Sequence, residues 1–202
     1  MIKTVIFDLG GVLVRTDNPE PRQQLAERFG MTYDDLSALV YGCESAELAT
    51  RGAITAEVHK ETVLEELGLP AGTFSEFGEE FWAGDSLDKH LVDFIQNLQG
   101  EYTTALLSNA WDDLRPLLVN QWQIDGIFDH IFISAELLLS KPDLAIFQVV
   151  IDELKQDPSE LIFVDDFLEN IVAARDAGIN AIHFQNPDQA LAELAEYLDL
   201  DI

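Results

Sequence analysis

Positive charge is scarce in this chain. Eleven lysines and arginines stand against 38 aspartates and glutamates, a formal net charge of −27 over 202 residues. Such a field repels phosphate backbones and argues against a nucleic-acid partner. It repels anionic substrates as well, so a site that handles phosphate here has to gather positive charge locally. The acidity reads as a solvated surface that favours solubility, with salt adaptation as the alternative. Cysteine is almost absent too: Cys43 stands alone. One thiol cannot close an intrachain disulfide, which predicts a cytoplasmic protein with Cys43 as a small core residue. His59, His90, His130 and His183 are scattered without the spacing of zinc ligands, and read as packed or surface side chains. Long apolar runs are missing. The stretch 4–14 is interrupted by Asp8 and by Gly10-Gly11, and predicts a buried strand entering a loop rather than a membrane span or a signal peptide.

Hydrophobic residues make up 48% of the chain, enough for one compact domain or a core with a small lid. Five runs, 3–8, 103–108, 130–134, 161–165 and 180–184, are apolar with little alternation, as strands buried on both faces should be. Helical patterns at 86–99, 112–121, 143–155, 169–177 and 187–198 separate most of them, and Gly100 and Gly178 stand where C-terminal caps belong. Alternating strands and helices predict an α/β fold built on a Rossmann-like parallel sheet. The segment between the first strand and the rest differs. It shows helical periods at 22–29, 33–40, 46–50, 56–67 and 73–82, punctuated by Gly30, Gly52, Gly68 and Pro70, with Thr55 as a helix N-cap. The expected organisation is a core of residues 1–16 and 85–202 with a helical cap, 17–84, inserted after the first strand.

Polar residues gather where the strands end. Asp8 closes the first run, Ser108-Asn109 the second and Asp165-Asp166 the fourth, while Lys141 precedes a helix that starts after Pro142. Ligands of open parallel sheets bind at the carboxyl ends of strands. Carboxylates there suit a hard cation, a lysine neutralises phosphoryl charge, and paired glycines let backbone N–H groups approach a phosphate. Taken singly, each residue has an ordinary structural explanation. A strand-end Asp caps a turn, one of the paired Asp caps the helix that follows, and Ser108 is a loop hydroxyl. Lys141 alone reads as a surface lysine, and Asn170 alone as a helix-surface amide. Together they are hard to explain that way, because adjacent carboxylates repel unless a cation sits between them.

Four motifs in order resemble the haloacid dehalogenase-like superfamily: Phe7-Asp8-Leu9-Gly10-Gly11-Val12-Leu13, Leu107-Ser108-Asn109, Ser140-Lys141-Pro142-Asp143 and Val164-Asp165-Asp166-Phe167-Leu168-Glu169-Asn170. The resemblance spans about 1–16 and 87–184, and the helical insert matches a cap of the family type. It implies a Mg2+-dependent phosphohydrolase acting on a small phosphorylated metabolite, such as a sugar phosphate. Asp8 would attack phosphorus to form an aspartyl-phosphate. Mg2+ would be held by the Asp8 carboxylate, the Gly10 carbonyl and Asp166, with Asp165 behind them. Ser108, the backbone N–H groups of Gly11 and Asn109, and Lys141 would hold the phosphoryl group. Lys141 would also bridge to Asp8, and Asn170 would reach back to the loop.

The chain departs from the usual pattern at Gly10, where most phosphatases of the superfamily carry a second Asp as general acid and base. Glycine has no proton to give, and general acid-base help is typically worth about 10²–10⁴-fold. A good leaving group such as a sugar 1-phosphate tolerates the loss. The Asp-Leu-Gly start is similar to that of a subgroup that includes bacterial α-D-glucose-1-phosphate phosphatase. Two other readings stand beside this one: a metal-independent 2-haloacid dehalogenase, whose family motif lacks the paired carboxylates, and a catalytically weak protein that binds a phosphate ligand. Arg15 at the first hinge, and Glu47 and Arg51 on a cap helix, are candidate substrate contacts. Phe81 and Trp82 are expected to pack the cap. Oligomeric state has no signature.

Overall fold

A computed structural model describes residues 1–200. The chain opens with β1 (Thr4–Phe7), whose residues are all buried, and β2 (Val14–Thr16). Five helices follow: α1 (Glu20–Arg28), α2 (Tyr33–Tyr41), α3 (Glu44–Thr50), α4 (Ala56–Glu66) and α5 (Phe74–Phe81). Next come β3 (Asp85–Leu87), α6 (Lys89–Leu98), β4 (Thr103–Ser108), α7 (Leu114–Leu117), β5 (His130–Ile133) and α8 (Ser134–Leu137). The chain then runs through α9 (Leu144–Leu154), β6 (Leu161–Asp165), α10 (Leu168–Asp176), β7 (Asn180–His183) and α11 (Pro187–Leu198).

The main sheet has five strands in the order β5-β4-β1-β6-β7, with every pairing parallel. This is the predicted α/β, Rossmann-like class. The chain leaves β1 to build one side, β4 then β5, and crosses over to build the other, β6 then β7. Strand order therefore reverses at β1, and the crevice beyond its carboxyl end is where such sheets take ligands. Apolar residues on the two faces form separate buried layers. One holds Val5, Phe7, Leu106 and Val164 beneath α6 and α11; the other holds Ile6, Leu107 and Phe163 beneath α9 and α10.

The five helices between β2 and β3 carry a cluster of their own, including Leu25, Leu36, Val40, Val63, Phe77 and Phe81. They leave and rejoin the sheet through β2 and β3, which pair antiparallel as a short ribbon. Polar bonds cross-link this ribbon. Thr16 Oγ1 donates to Asp85 at 2.6 Å, and Arg15 pairs with Asp88 at 2.6 Å. The buried Arg22 guanidinium of α1 reaches both Asp85 oxygens, at 3.0 and 3.1 Å, and the Phe81 carbonyl at 3.1 Å. Burying an arginine is tolerable here because its donors are used.

Several expectations need correcting. The ribbon strands are absent from the sequence reading, and the helix expected at 86–99 starts only at Lys89, because residues 85–87 pair with β2 and Asp88 caps the helix by accepting from Leu91 N–H. The helix expected at 112–121 is shorter and irregular: α7 gives way to a π-helical turn, Leu118–Trp122, that ends at Gln123 with φ 55°. Cys43 is half-buried rather than in the core. It stands at the N-cap of α3, 3.1 Å from the Ser45 hydroxyl.

Candidate functional site

The strands beside the reversal deliver polar groups to the crevice. Asp8 follows β1 and is only 6% exposed; Ser108 ends β4 and is also buried. Asp165 ends β6 with no exposure at all, and Asp166 follows it half-buried. Lys141 arrives from the α8–α9 connection and is 4% exposed, so it is no surface lysine. Its ammonium lies 2.9 Å from Asp8 Oδ1 and 2.7 Å from Asp165 Oδ2, and donates to the Leu107 carbonyl at 3.0 Å. All three donors of the ammonium are thereby used inside the protein.

The Lys141 backbone is fixed as firmly as its tip. Asn109 donates through Nδ2 to the Lys141 carbonyl and accepts at Oδ1 from the Lys141 N–H, both at 2.8 Å. The amide of Asn109 thus clamps the lysine from the loop after β4. The sequence pointed to the backbone of Asn109 and gave no sign of this side-chain role. Asp165 is held from several sides. It accepts from Phe167 N–H at 2.7 Å, and Asn170 Nδ2 lies 3.0 Å from both its oxygens. Asn170, in the first turn of α10, is therefore buried against the site rather than on the helix surface.

Asp8, Asp165 and Asp166 each present an oxygen, and these three oxygens lie within 4.8 Å of one another. One ammonium faces three carboxylates, and the electrostatics follow. Burial pushes the Asp8 carboxyl up to about 7; Lys141 opposes the rise and Asp165 adds to it. Burial likewise raises the Asp166 carboxyl, with Asp165 reinforcing it. Burial on its own would lower the Lys141 ammonium, but Asp8 and Asp165 outweigh it and hold the group above its ordinary value. At this site, Asp166 Oδ1 and Asn170 Oδ1 are buried without a hydrogen-bond partner among the described residues. An orphaned carboxylate oxygen next to two further carboxylates is the environment a hard divalent cation fits, since it would satisfy the oxygen and offset the repulsion.

The two glycines after Asp8 differ. Gly11 has φ +80°, and a β-carbon there would meet the Asp166 carboxylate. Gly10 lies outside the positive-φ region, and a β-carbon there would meet nothing within 4 Å. Asp8 Oδ1 accepts from Leu9 N–H at 2.7 Å, which fixes the carboxylate's orientation in the loop.

The three candidate substrate contacts lie elsewhere in different ways. Arg15 is committed to the ribbon: besides Asp88 it donates to the Val12 carbonyl at 2.5 Å and lies over the Phe184 ring at 5.7 Å. Glu47 and Arg51 are exposed on and just after α3. That end of α3 does approach the sheet domain, since a β-carbon on Gly52 would lie 2.2 Å from the Ala135 carbonyl of α8. Phe81 is fully buried in the helical cluster, and Trp82 packs against it.

A family model described as haloacid dehalogenase-like hydrolase matches residues 2–178. The chain is 28% identical over 196 residues to a sesquiterpene phosphatase of Aspergillus oryzae, covering 96% of this chain and 95% of that one. It is 26% identical over 208 residues to a D-ribitol-5-phosphate phosphatase of Bacteroides thetaiotaomicron, covering 98% of this chain and all of the relative. Its fold is shared with a solved Bacteroides thetaiotaomicron enzyme in complex with magnesium and inorganic phosphate. There the TM-score is 0.77 at 22% identity, over 92% of this chain and 95% of the other.

Proposed function

The chain belongs to the haloacid dehalogenase-like hydrolase family, and from that premise we propose that it is a Mg2+-dependent phosphatase of small phosphorylated metabolites that uses Asp8 as nucleophile. One observation carries the reading: three carboxylates converge beside a single buried lysine where strand order reverses. Asp8, Asp166 and the Gly10 carbonyl would hold Mg2+, which when bound neutralises charge on the phosphoryl oxygens.

The chain's own residues do the rest. Leu9 N–H and Lys141 orient the Asp8 carboxylate, so its attack on phosphorus costs little reorganisation. An Asp8 oxygen bonds to phosphorus as the ester O–P bond breaks. Ser108 and the backbone N–H of Asn109 hold the phosphoryl oxygens, and Lys141 balances their charge; the Gly11 N–H, expected to join them, instead donates to the Val14 carbonyl at 2.9 Å. Water then attacks phosphorus, releases inorganic phosphate and restores the carboxylate. Asp165 acts through Lys141, which it holds at 2.7 Å, and Asn170 acts through Asp165. Gly10 has no proton to offer, so the departing oxygen takes its proton from solvent or leaves as an anion.

The helices at 17–84 form a cap that closes the crevice and selects the substrate, with Glu47 and Arg51 at its docking edge. The relatives named above are phosphatases of a polyol phosphate and of a sesquiterpene, so the leaving groups to test include both polar and apolar alcohols. A cytoplasmic setting fits a chain with a single cysteine; no helix among the described residues is long and apolar enough to cross a membrane. A dehalogenase without metal would leave Asp166 Oδ1 buried and unsatisfied beside two like charges, which disfavours that reading. The test is a phosphatase screen across sugar 1-phosphates, sugar and polyol 5- and 6-phosphates, prenyl phosphates and aryl phosphates, with and without Mg2+. Chloride release from a 2-haloacid without metal, and no phosphate release, would overturn the proposal.

A further inference from the structure

We propose that Asp112 is a positioning residue that couples seating of the helical cap to the phosphoryl-binding loop after β4; the proposal rests on the phosphatase reading above. The loop is short: only residues 109–113 separate β4 from α7. Its first half is tied to the site. Asn109 clamps the Lys141 backbone through two bonds of 2.8 Å. The next residue, Ala110, is held through both backbone groups by the buried Ser134 hydroxyl, at 2.9 and 3.0 Å.

The second half of the loop is tied to the cap. Asp112 Oδ1 accepts from the Ala56 N–H, the first residue of α4, at 2.8 Å. Asp113 pairs with Lys60 one turn further along the same helix. Trp111 sets its ring edge-on to His59, with centroids 4.5 Å apart.

The Asp112 bond is of a particular kind. The first N–H groups of a helix have no intrahelical acceptor, and the positive end of the helix dipole faces whatever satisfies them. Thr55 serves Val58 N–H from within the cap, at 3.4 Å. The Ala56 donor is served from the other side of the crevice, by a carboxylate four residues beyond Ser108. Lifting the cap would strip α4 of that acceptor, expose Ala56 N–H and part Lys60 from Asp113. The seated cap therefore favours one placement of residues 109–113, and that placement holds Asn109 on Lys141. Coupling of this kind is reciprocal: whatever occupies the phosphoryl site must stabilise the seated cap.

Hydrogen exchange of the amides at 56–60 reads the coupling, measured with Mg2+ alone and with Mg2+ plus inorganic phosphate. Phosphate should slow exchange at 56–60 in the native protein. Asp112→Asn keeps an oxygen acceptor and should retain that protection. Asp112→Ala should lose it. Its inhibition constant for phosphate and its KM for an aryl phosphate should both rise about fivefold or more, with kcat changed less than about twofold. Phosphate binding that slows exchange near Ser108 but not at 56–60 in the native protein would overturn the proposal. So would Asp112→Ala that melts at lower temperature yet binds phosphate as the native protein does. Failure of the native protein to bind phosphate at all would overturn the phosphatase reading itself, and this coupling with it.

Discussion

The Asp166 carboxylate lies against the bare α-carbon of Gly11: a β-carbon there would fall 2.2 Å from Oδ2 and 2.7 Å from Oδ1. Gly11 also has φ +80°, so glycine is required both for conformation and for room. Gly11→Ala should push Asp166 aside and destabilise the fold by about 1–3 kcal/mol. The Mg2+ concentration for half-maximal activity should rise about tenfold, a loss of about 1.4 kcal/mol of metal affinity. Urea melts in EDTA and a Mg2+ titration of phosphate release measure the two effects. An unchanged metal requirement would detach Asp166 from the metal.

One residue earlier, the opposite holds. Gly10 does not require glycine, because its φ is not positive and its β-carbon direction is open. Native turnover should depend steeply on the leaving group, with aryl phosphates and sugar 1-phosphates fast and sugar 6-phosphates slow. Gly10→Asp should fold normally and speed the slow esters selectively, by about tenfold or more. Rates across esters of graded leaving-group pKa check this. A flat dependence with chemistry rate-limiting would mean another residue supplies the proton, and Glu47 on the cap is the first to test.

The paired aspartates should separate by the quantity each controls. Asp165 holds Lys141, Asn170 and Phe167 N–H with no exposure. Asp165→Ala should therefore cost about 3–5 kcal/mol of stability, because it takes away one of the two carboxylates on the buried Lys141 ammonium and leaves Phe167 N–H and Asn170 Nδ2 without their acceptor. Asp166 has a buried oxygen with no partner among the described residues, so Asp166→Ala should cost little stability and raise the Mg2+ requirement more. Thermal melts in EDTA and metal titrations of both variants decide it. A larger loss of metal affinity in Asp165→Ala would exchange their roles.

Much of this arrangement is legible in the sequence because burial on both faces leaves a plain mark. The apolar runs ending at Ser108 and Asp165 coincide with β4 and β6, and the residues beyond them fall into one crevice because parallel strands share a carboxyl end. Where contacts join distant, half-buried residues, no mark remains. Strands β2 and β3 have three residues each, none fully buried, and pair across the whole helical insert. Arg15 looks free in sequence because its partner Asp88 is 73 residues away. Asp112 reads as the start of a helix and Trp111 as the residue before it, and nothing in their neighbourhood announces contacts with Ala56 and His59. Pro116 within the expected helix is the one local sign that its pattern would break, since a helix interior tolerates proline poorly.

In the proposed reaction Asp8 attacks phosphorus and Mg2+ is required. The most direct measurement is release of inorganic phosphate from an aryl phosphate by the native protein and by Asp8→Asn, each with Mg2+ and with EDTA. Phosphate release is expected from the native protein only with Mg2+, with a loss of more than about 10³-fold in an Asp8→Asn protein that keeps its fold. Release that survives EDTA, or an Asp8→Asn protein free of deamidation that keeps activity within tenfold of native, would contradict it.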